Sequence, residues 1–214
     1  WWGVVVGGVA AVGRRRGDGA GGGMGLGGSP AFAGMAGAWG LGRPRLVREQ
    51  SGVLGKVDEV FAGLVQAIAC GTWPTGVPDG MPASVPVIHT GNPIRAAVRT
   101  HAGAPYRPPD DGPLHVVMIG GSQGARILSQ IVPEALAALP DPVRARLSVS
   151  HQARPEDHDA VAAAYRAAGI AADVQAFFTD VPARPVRAQL VISRSGASSV
   201  AGIAAIRRPS ILIP

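Results

Sequence analysis

The sequence predicts an α/β protein in which parallel β-strands alternate with helices, and three features of its 214 residues carry that prediction. An apolar run at residues 116–119 ends at Gly120 and leads into a segment with helical periodicity. Strand and helix patterns then alternate to the end of the chain. A second apolar run, at residues 190–193, again leads into a turn of small residues. Strand, helix and parallel strand in succession form the doubly wound pattern.

The individual elements follow from the spacing of the apolar residues. In the first part of the chain we expect helices at residues 31–39 and 57–65, and strands at residues 45–48 and 66–70. In the second part we expect strands at residues 116–119, 147–151, 174–178, 190–193 and 210–213, and helices at residues 125–139, at residues 156–168 and in a segment ending at residue 206.

Side-chain patterns predict how these helices pack and where they end. Residues 125–139 carry one apolar stripe that should face a sheet, formed by Leu128, Ile131, Val132, Ala135, Leu136 and Leu139. Pro133 is expected to break or restart that helix. A shorter stripe lies at residues 57–65, formed by Val57, Val60, Phe61 and Leu64. Gly169 should end its helix as a left-handed cap, and a serine should cap the last helix.

Composition limits the classes of function. The net charge of +6 comes from 20 basic and 14 acidic residues, but the basic residues are spread along the chain and aromatic residues make up only 5%. A nucleic-acid surface usually shows clustered charge with interleaved aromatics, so no nucleic-acid partner is expected. Cys70 is the single cysteine, which predicts no internal disulfide and a cytosolic setting. No signal peptide is visible, and the lack of a first methionine leads us to expect a fragment.

The chain is expected to divide near Asn92. Residues 1–23 are rich in glycine, lack either periodicity and are expected to form an irregular lead. Residues 24–90 should form one partial domain, and residues 91–214 a second domain that is truncated at its end. The rigid Gly91-Asn92-Pro93 turn suits the crossover between them.

Two other interpretations concern the glycine-rich start of the first domain. Gly23, Gly25 and Gly28 match the spacing of a dinucleotide fingerprint, and Glu49 follows at about the expected distance. That interpretation, which would make the protein an oxidoreductase, requires a strand directly before Gly23. Residues 24–42 are also uncharged and about long enough to span a membrane, but their glycines and Pro30 favour a buried turn and helix.

The two turns that follow apolar strands are candidate ligand sites. Gly120, Gly121 and Gly124 would let the backbone approach a phosphate, and Ser122 would add a hydroxyl or cap the helix. The alternative is a tight turn that binds no ligand. The second turn, at residues 194–199, is also expected at the carboxyl end of a parallel strand, where open α/β sheets bind ligands. Together the two turns could hold a nucleotide.

Several motifs, in this order, resemble the successive signatures of the MurG family. They are G-N-P-I-R at residues 91–95, G-G-S-Q-G-A at residues 120–125, H-Q at residues 151–152, F-F-T-D-V at residues 177–181 and R-S-G-A-S-S-V-A at residues 194–201. Upstream, residues 24–30 and 48–55 are similar to two further segments of the family. The resemblance covers roughly residues 24–214.

The resemblance implies a glycosyltransferase of the GT-B type, with two Rossmann-like domains that are both expected to be incomplete here. The family transfers N-acetylglucosamine from UDP-N-acetylglucosamine to undecaprenyl-linked lipid I, which gives lipid II in peptidoglycan biosynthesis. It implies a protein at the cytoplasmic face of the bacterial inner membrane, bound peripherally to the membrane surface. The first domain would hold the acceptor and the second the nucleotide sugar. Neither a cofactor nor a metal is implied.

Site residues are carried over by motif position. The residues that the resemblance assigns to donor binding are Ser51, Arg95, Ser122, Phe178 (through its backbone), Ala197, Ser198, Ser199 and Gly202, with Gly120, Gly121 and Gly124 as the phosphate loop. Glu49 is the acceptor-side candidate.

The sequence also departs from the family pattern. The family's N-terminal G-G-T-G-G-H motif has no counterpart, and the general base cannot be named. Arg48 and Ser51 replace a histidine and an asparagine, and Gly202 replaces a glutamate expected to bind the ribose. An inactive remnant of the fold is therefore the alternative to an active transferase.

Overall fold

The structure is a computed structural model that describes residues 21–120, 126–180 and 183–214. Internal contacts divide the chain into two compact units, the first ending at Pro93 and the second beginning at Ile94. Each unit contains one parallel sheet.

The first unit contains a four-stranded parallel sheet in the order β1-β2-β3-β4. Its elements are β1 (Gly23–Gly25), α1 (Ser29–Gly40), β2 (Arg45–Glu49), α2 (Lys56–Phe61), a 3-10 turn (Ala62–Leu64), β3 (Ala67–Cys70) and β4 (Val87–His89). Helices α1 and α2 pack on β1 and β2. The core between them contains Met35, Val47, Phe61 and Ile68.

The second unit contains a five-stranded parallel sheet in the order β7-β6-β5-β8-β9. Its elements are α3 (Ala96–Arg99), β5 (Leu114–Ile119), α4 (Arg126–Ala137), α5 (Asp141–Arg144), β6 (Leu147–Gln152), a 3-10 turn (Pro155–Asp157), α6 (His158–Ala167), β7 (Ala171–Gln175), α7 (Arg184–Arg187), β8 (Leu190–Arg194), α8 (Ala197–Ile206) and β9 (Ser210–Ile213). The predicted parallel α/β architecture is confirmed.

The order of strands in the second sheet reverses at β5. The chain builds outward from β5 through β6 to β7, then returns to pair β8 with the other side of β5. The carboxyl ends of β5 and β8 are therefore neighbours at the switch point of the sheet, where such folds bind ligands.

The two faces of this sheet are covered differently. On one face, Val116 and Met118 pack with Leu128 of α4 and Tyr165 of α6 in the larger core cluster. On the other, Val117, Val191 and Ile203 form a smaller cluster beside α7 and α8. The alternation along β5 follows from the two-residue period of a strand.

Pro133 lies inside α4 and does not break it, contrary to the sequence expectation. Proline in a helix interior costs about 3 kcal/mol. Burial of Leu128, Val132 and Leu136 contributes about 1.5–3 kcal/mol for each side chain, which exceeds that cost. The predicted stripe was wrong at Ile131, which is 52% exposed, and at Ala135, which is also exposed. The shorter stripe was wrong at Val60 and Leu64, which are exposed, and correct at Val57 and Phe61, which pack in the core of the first unit.

Several boundaries in the second unit differ from those predicted, most of all the bounds of β7 and the start of α6. Strand β7 covers Ala171–Gln175, earlier than the predicted 174–178, because it pairs in register with β6 from Ser148 onward. Residues 156 and 157 belong to a 3-10 turn before α6. The predicted cap at Gly169 is confirmed: its φ is 70°, and the Ile170 N–H donates to the Tyr165 carbonyl at 2.9 Å.

The glycine-rich start of the first unit does not fit the dinucleotide interpretation. Gly23 and Gly25 lie within β1 itself, whereas the fingerprint places its glycines in the turn after a strand. A Cβ at Gly25 would come within 3.2 Å of Met35 Cγ, so the glycine serves close packing. Gly28, with φ of 76°, serves the turn into α1. In the described part of the chain, no helix is long and apolar enough to cross a membrane.

Candidate functional site

The carboxyl ends of β5 and β8 form the centre of the candidate site. The register pairs Ile119 with Ser193, so the residues that follow these strands begin side by side. Gly120 comes directly after β5 and is buried. Three predicted residues of the same loop, Gly121, Ser122 and Gly124, lie outside the described residues.

The N-terminus of α8 supplies backbone donors at this point. Gly196 occupies the N-cap, and the first intrahelical bond runs from the Val200 N–H to the Gly196 carbonyl at 2.9 Å. The N–H groups of Ala197, Ser198 and Ser199 come before that bond and have no helical acceptor of their own. They carry the positive end of the helix dipole, about half an elementary charge, which favours an anion.

The predicted serine cap of α8 was wrong. No side chain caps this helix, because its N-cap is Gly196, which has no hydroxyl. Ser198 is exposed and Ser199 is half-buried, both in the first turn. Without a capping side chain, the backbone N–H groups stay available to a ligand.

Helix α3 brings Arg95 toward the same end of α8. Arg95 is the N-cap residue of α3 and is exposed. A Cβ at Gly202 would lie 3.8 Å from Val98 Cγ1, and the Gly103 N–H donates to the Ala205 carbonyl at 2.8 Å. These contacts show that residues 98–103 and α8 run in the same direction. Arg95, one turn before Val98, therefore lies toward the end of α8 that carries Ser199.

Gly202 sits one turn after Ser198 in α8. Positions four residues apart share one face of a helix. A side chain at this position would meet Val98 at an ordinary van der Waals distance, so the site has room for a larger residue.

The side chain of Phe178 is part of the protein interior. It is 1% exposed, and the guanidinium of Arg184 lies 3.9 Å from the centre of its ring. Its neighbour Phe177 is 69% exposed. Only the backbone of Phe178 could serve a ligand, as the resemblance implies.

In the first unit, Glu49 organises the turn after β2. Its Oε1 accepts the Ser51 N–H at 2.6 Å, and its Oε2 accepts the Gly55 N–H at 3.2 Å. Both carboxylate oxygens are therefore engaged by backbone, and the residue is buried. This geometry favours a structural role for Glu49. Ser51 is exposed.

Arg48, which replaces the family's histidine, also has a structural partner. Its Nη2 donates to Asn92 Oδ1 at 2.8 Å, and Asn92 Nδ2 donates to the Gln50 carbonyl at 3.0 Å. These bonds hold the Gly91-Asn92-Pro93 turn against the end of β2.

Asp58 is a buried carboxyl group that sequence reasoning missed. It is fully buried in the first turn of α2, and neither of its oxygens makes a hydrogen bond within the described residues. Burial raises the pKa of the Asp58 carboxyl, and the nearby Glu49 charge raises it further; the Gly27 N–H acts in the opposite direction without reaching hydrogen-bond geometry. Acidic residues are common in first helical turns, so the sequence offered no signal of burial here.

His151 belongs to one of the motifs, but its environment is that of a core residue. Its Nδ1 is 2.8 Å from the Tyr165 hydroxyl, and it is completely buried. Burial lowers the pKa of His151 to about 4, so the imidazole is neutral at physiological pH. Across the described ranges, no group of three or more His, Cys, Asp or Glu side chains could hold a metal ion.

Comparison with known proteins shows what the second unit is similar to. Residues 115–214 match the family model described as the glycosyltransferase family 28 C-terminal domain. The first unit falls outside the matched range, and its relationship comes from whole-chain comparisons.

Two curated relatives extend the similarity into the first unit. Both are called UDP-N-acetylglucosamine--N-acetylmuramyl-(pentapeptide) pyrophosphoryl-undecaprenol N-acetylglucosamine transferase. The protein from Sinorhizobium fredii is 48% identical over 191 residues, which is 89% of this chain and 50% of the relative. The protein from Rhizobium meliloti is 46% identical over 192 residues, which is also 89% of this chain and 50% of the relative. The chain thus spans about half the length of the curated relatives it matches.

Solved structures support the same relationship. The crystal structure of Acinetobacter baumannii MurG matches with a TM-score of 0.75 and 26% identity, over 100% of this chain and 58% of that one. A glycosyltransferase from Rickettsia africae matches with a TM-score of 0.59 at 7% identity, which shows the fold alone. The resemblance to MurG, over part of that protein's length, and the GT-B type of fold are confirmed.

Proposed function

We propose that the second unit binds the UDP moiety of UDP-N-acetylglucosamine and that the protein transfers N-acetylglucosamine to lipid I, giving lipid II. The observation that carries the proposal is the position of the α8 N-terminus, at the switch point of a family 28 C-terminal domain. A diphosphate placed there would meet the N–H groups of Ala197, Ser198 and Ser199. The similarly named relatives support the choice of sugar nucleotide and acceptor.

Arg95 and the loop after β5 would complete the donor site. A guanidinium matches phosphate oxygens bidentately, and Arg95 is exposed at the end of α3 nearest Ser199. Gly120 opens the loop to which the resemblance assigns the phosphate contacts of Gly121, Ser122 and Gly124. The backbone of Phe178 would meet the uracil.

The reaction is an inverting transfer. The C4 hydroxyl oxygen of the muramoyl sugar forms a bond to the anomeric carbon of N-acetylglucosamine, and the bond from that carbon to the UDP oxygen breaks. The hydroxyl proton goes to a general base that the described residues do not identify. The protein's contribution is to position the donor and to stabilise the negative charge that develops on the leaving diphosphate.

The acceptor side is proposed to lie in the first unit. Lipid I is membrane-anchored, so the protein would work at the cytoplasmic face of the bacterial inner membrane, attached peripherally to its surface. Glu49 would act there by shaping the turn at residues 50–55 and not by taking the proton, since both of its oxygens accept backbone N–H groups. That neither cofactor nor metal is needed stays a prediction.

The proposal is tested by measuring UDP binding and sugar transfer separately. Titration calorimetry with UDP should show saturable binding, and labelled UDP-N-acetylglucosamine with lipid I in detergent should give labelled lipid II. UDP binding without transfer would identify an inactive relative of the enzyme, whereas no saturable binding would refute the donor site.

A matched pair of arginine variants locates the phosphate contact. Arg95→Gln should weaken UDP binding at least tenfold, because a hydrogen bond to a charged group contributes about 1.5–3 kcal/mol. Arg99→Gln, an exposed change in the same helix with the same loss of charge, should leave binding unchanged. Equal losses in the two variants would indicate only a general effect of charge.

A further inference from the structure

A cavity of about 600 Å³ lies in the second unit, away from the candidate donor site. Its polar lining comes from His115, Ser150, Asp180, Arg184, Arg187 and Gln189. His115 lies near the amino end of β5, whereas Gly120 follows its carboxyl end. A β-strand rises roughly 3.3 Å per residue, so His115 and Gly120 are about 17 Å apart along the strand.

The cavity exists because one part of the sheet face is polar. His115 and Ser150 lie on the α7 side of β5 and β6, and so does Asp173 of β7, opposite Ser150 in register. Helix α7, a single helical turn, packs on β5. Parallel sheets are normally covered by apolar packing on both faces, so a polar face beneath a cavity of ligand size is a candidate binding site.

A fixed hydrogen-bond network forms the floor of the cavity. His115 Nδ1 is 2.8 Å from Ser148 Oγ, and Arg184 Nη1 donates to Ser150 Oγ at 3.2 Å. Arg184 also forms ion pairs with Asp173 at 2.5 Å and Asp180 at 2.7 Å. The charge of Arg184 is thereby balanced, and its position is fixed.

Arg187 differs from Arg184 in having no acidic partner. It is exposed and forms no ion pair or hydrogen bond with any residue that the structure describes. It lines the same cavity as His115. Burial is the largest cause that lowers the pKa of His115, and the charges of Arg184 and Arg187 lower this pKa further. A hydrogen bond from the imidazole to the Ser148 backbone acts in the opposite direction and raises it. The imidazole therefore lies in the positive electrostatic potential of Arg187, whose charge is not neutralised by an acidic partner among the described residues.

We propose that this cavity binds a small molecule through an oxyanion, a phosphate or carboxylate group held by Arg187 with Ser150 and His115 as neighbouring polar contacts. Arg187 supplies the charge and the bidentate donor geometry that oxyanions match. The neutral imidazole and the hydroxyl add hydrogen bonds. Asp180 lines the same cavity and limits the anion to the side nearer Arg187.

The test uses inorganic phosphate as the probe and the imidazole resonances of His115 as the local readout. His115→Gln assigns those resonances among the five histidines of the chain. Phosphate should shift the His115 resonances saturably and raise the pKa of His115, since a bound anion offsets the arginine charges. A shift that grows linearly with phosphate, or no shift, would overturn the proposal.

A matched arginine pair makes the test specific. Arg187→Gln should weaken phosphate binding at least tenfold, whereas Arg166→Gln, an equal change of charge at an exposed position of α6, should leave it unchanged. Equal weakening in both variants would refute the site. The titration should also be unaltered in Arg95→Gln, because that residue belongs to the donor site; loss of the His115 response there would show that the two sites are one.

Discussion

At the scale of single residues, Gly202 is the departure with the clearest consequence for donor binding. A glutamate at this position could accept hydrogen bonds from the ribose hydroxyls, and such bonds contribute about 1.5–3 kcal/mol each before desolvation. Glycine supplies no acceptor, and it destabilises the helix by about 1 kcal/mol relative to alanine. A Cβ here would lie 3.8 Å from Val98 Cγ1, an ordinary van der Waals distance, so a side chain can begin at this position without displacing Val98.

Gly202→Glu is therefore expected to tighten UDP binding about tenfold or more, measured by titration calorimetry. Gly202→Ala is the matched control, since it restores helix propensity without adding a carboxylate. If the alanine variant tightens binding equally, the gain comes from helix order. If neither does, Gly202 does not occupy the ribose position.

The buried carboxyl group of Asp58 should make the stability of the fold depend on pH. Its pKa is raised in the folded protein by burial and by Glu49, so the folded state retains a proton that the unfolded chain has lost. Stability therefore falls as the pH rises from the ordinary carboxyl pKa through the folded one. An asparagine side chain at this position would be neutral at every pH. Asp58→Asn should accordingly raise the free energy of unfolding at pH 8, because asparagine does not have to be ionised in the buried site; the gain is about 1.4 kcal/mol for each unit by which folding raises the pKa of Asp58.

The Asp58→Asn comparison needs two pH values and a neighbouring control. Urea unfolding should show a larger gain at pH 8 than at pH 5. Glu59→Gln changes the exposed next residue of the same helix and should alter stability by less than about 0.5 kcal/mol at either pH. A loss of stability in Asp58→Asn would mean that the carboxylate has a favourable partner.

At the scale of elements, Arg208 joins three segments of the second unit. It is buried, and its Nη2 donates to the Pro105 carbonyl at 2.8 Å and the Val186 carbonyl at 2.7 Å. Its Nη1 donates to the carbonyl of Ile206 at the end of α8 at 2.9 Å. The cation thus joins the segment after α3 to the ends of α7 and α8, and backbone carbonyl oxygens accept all of these bonds.

Arg208→Met should lower the free energy of unfolding by about 2–4 kcal/mol, because three backbone carbonyls, those of Pro105, Val186 and Ile206, would lose a charged donor. Arg207→Met is the control, since Arg207 is exposed and methionine would keep the same left-handed backbone, φ 57°, at similar cost. Urea unfolding measures the stability of both variants. Similar changes in the two would assign no special role to the buried guanidinium.

The elements also show what the sequence could predict. Strands β5 and β8 are apolar runs followed by small residues, and their pattern is local, so their positions and parallel direction were predicted correctly. Pro133 and β7 were not, because their outcome depends on core burial and on pairing with β6. Strand β1, made of two glycines and Met24, forms by pairing with β2 and carries no strand pattern of its own.

In the candidate site, too, some features could be predicted from the sequence and others could not. The location of α8 at a strand end followed from local pattern, but the cap residue did not, since either Ser195 or Gly196 could precede the first turn. Asp58 was missed because its burial depends on the packing of α2 on the sheet. The polar face at His115 and Ser150 was missed because two strands must pair before those residues meet.

At the scale of the whole molecule, the chain has separate hydrophobic cores. The first unit's core contains Val47, Phe61 and Ile68, and the second unit's larger core contains Val116 and Leu128. No buried residue is shared between these clusters in the described ranges. Units with their own cores are able to unfold separately, and the predicted division of the chain near Asn92 rests on that independence.

A reciprocal pair of core variants tests this division. Ile68→Ala and Leu128→Ala each remove a completely buried side chain and should cost about 2–5 kcal/mol within their own unit. Hydrogen exchange should then rise in β2 and β3 for Ile68→Ala and in β5 and β6 for Leu128→Ala, with the other unit unchanged. UDP binding, which is assigned to the second unit, should survive Ile68→Ala and weaken in Leu128→Ala. If either substitution raises exchange equally in both sheets, the two units unfold as one and the chain is a single cooperative domain.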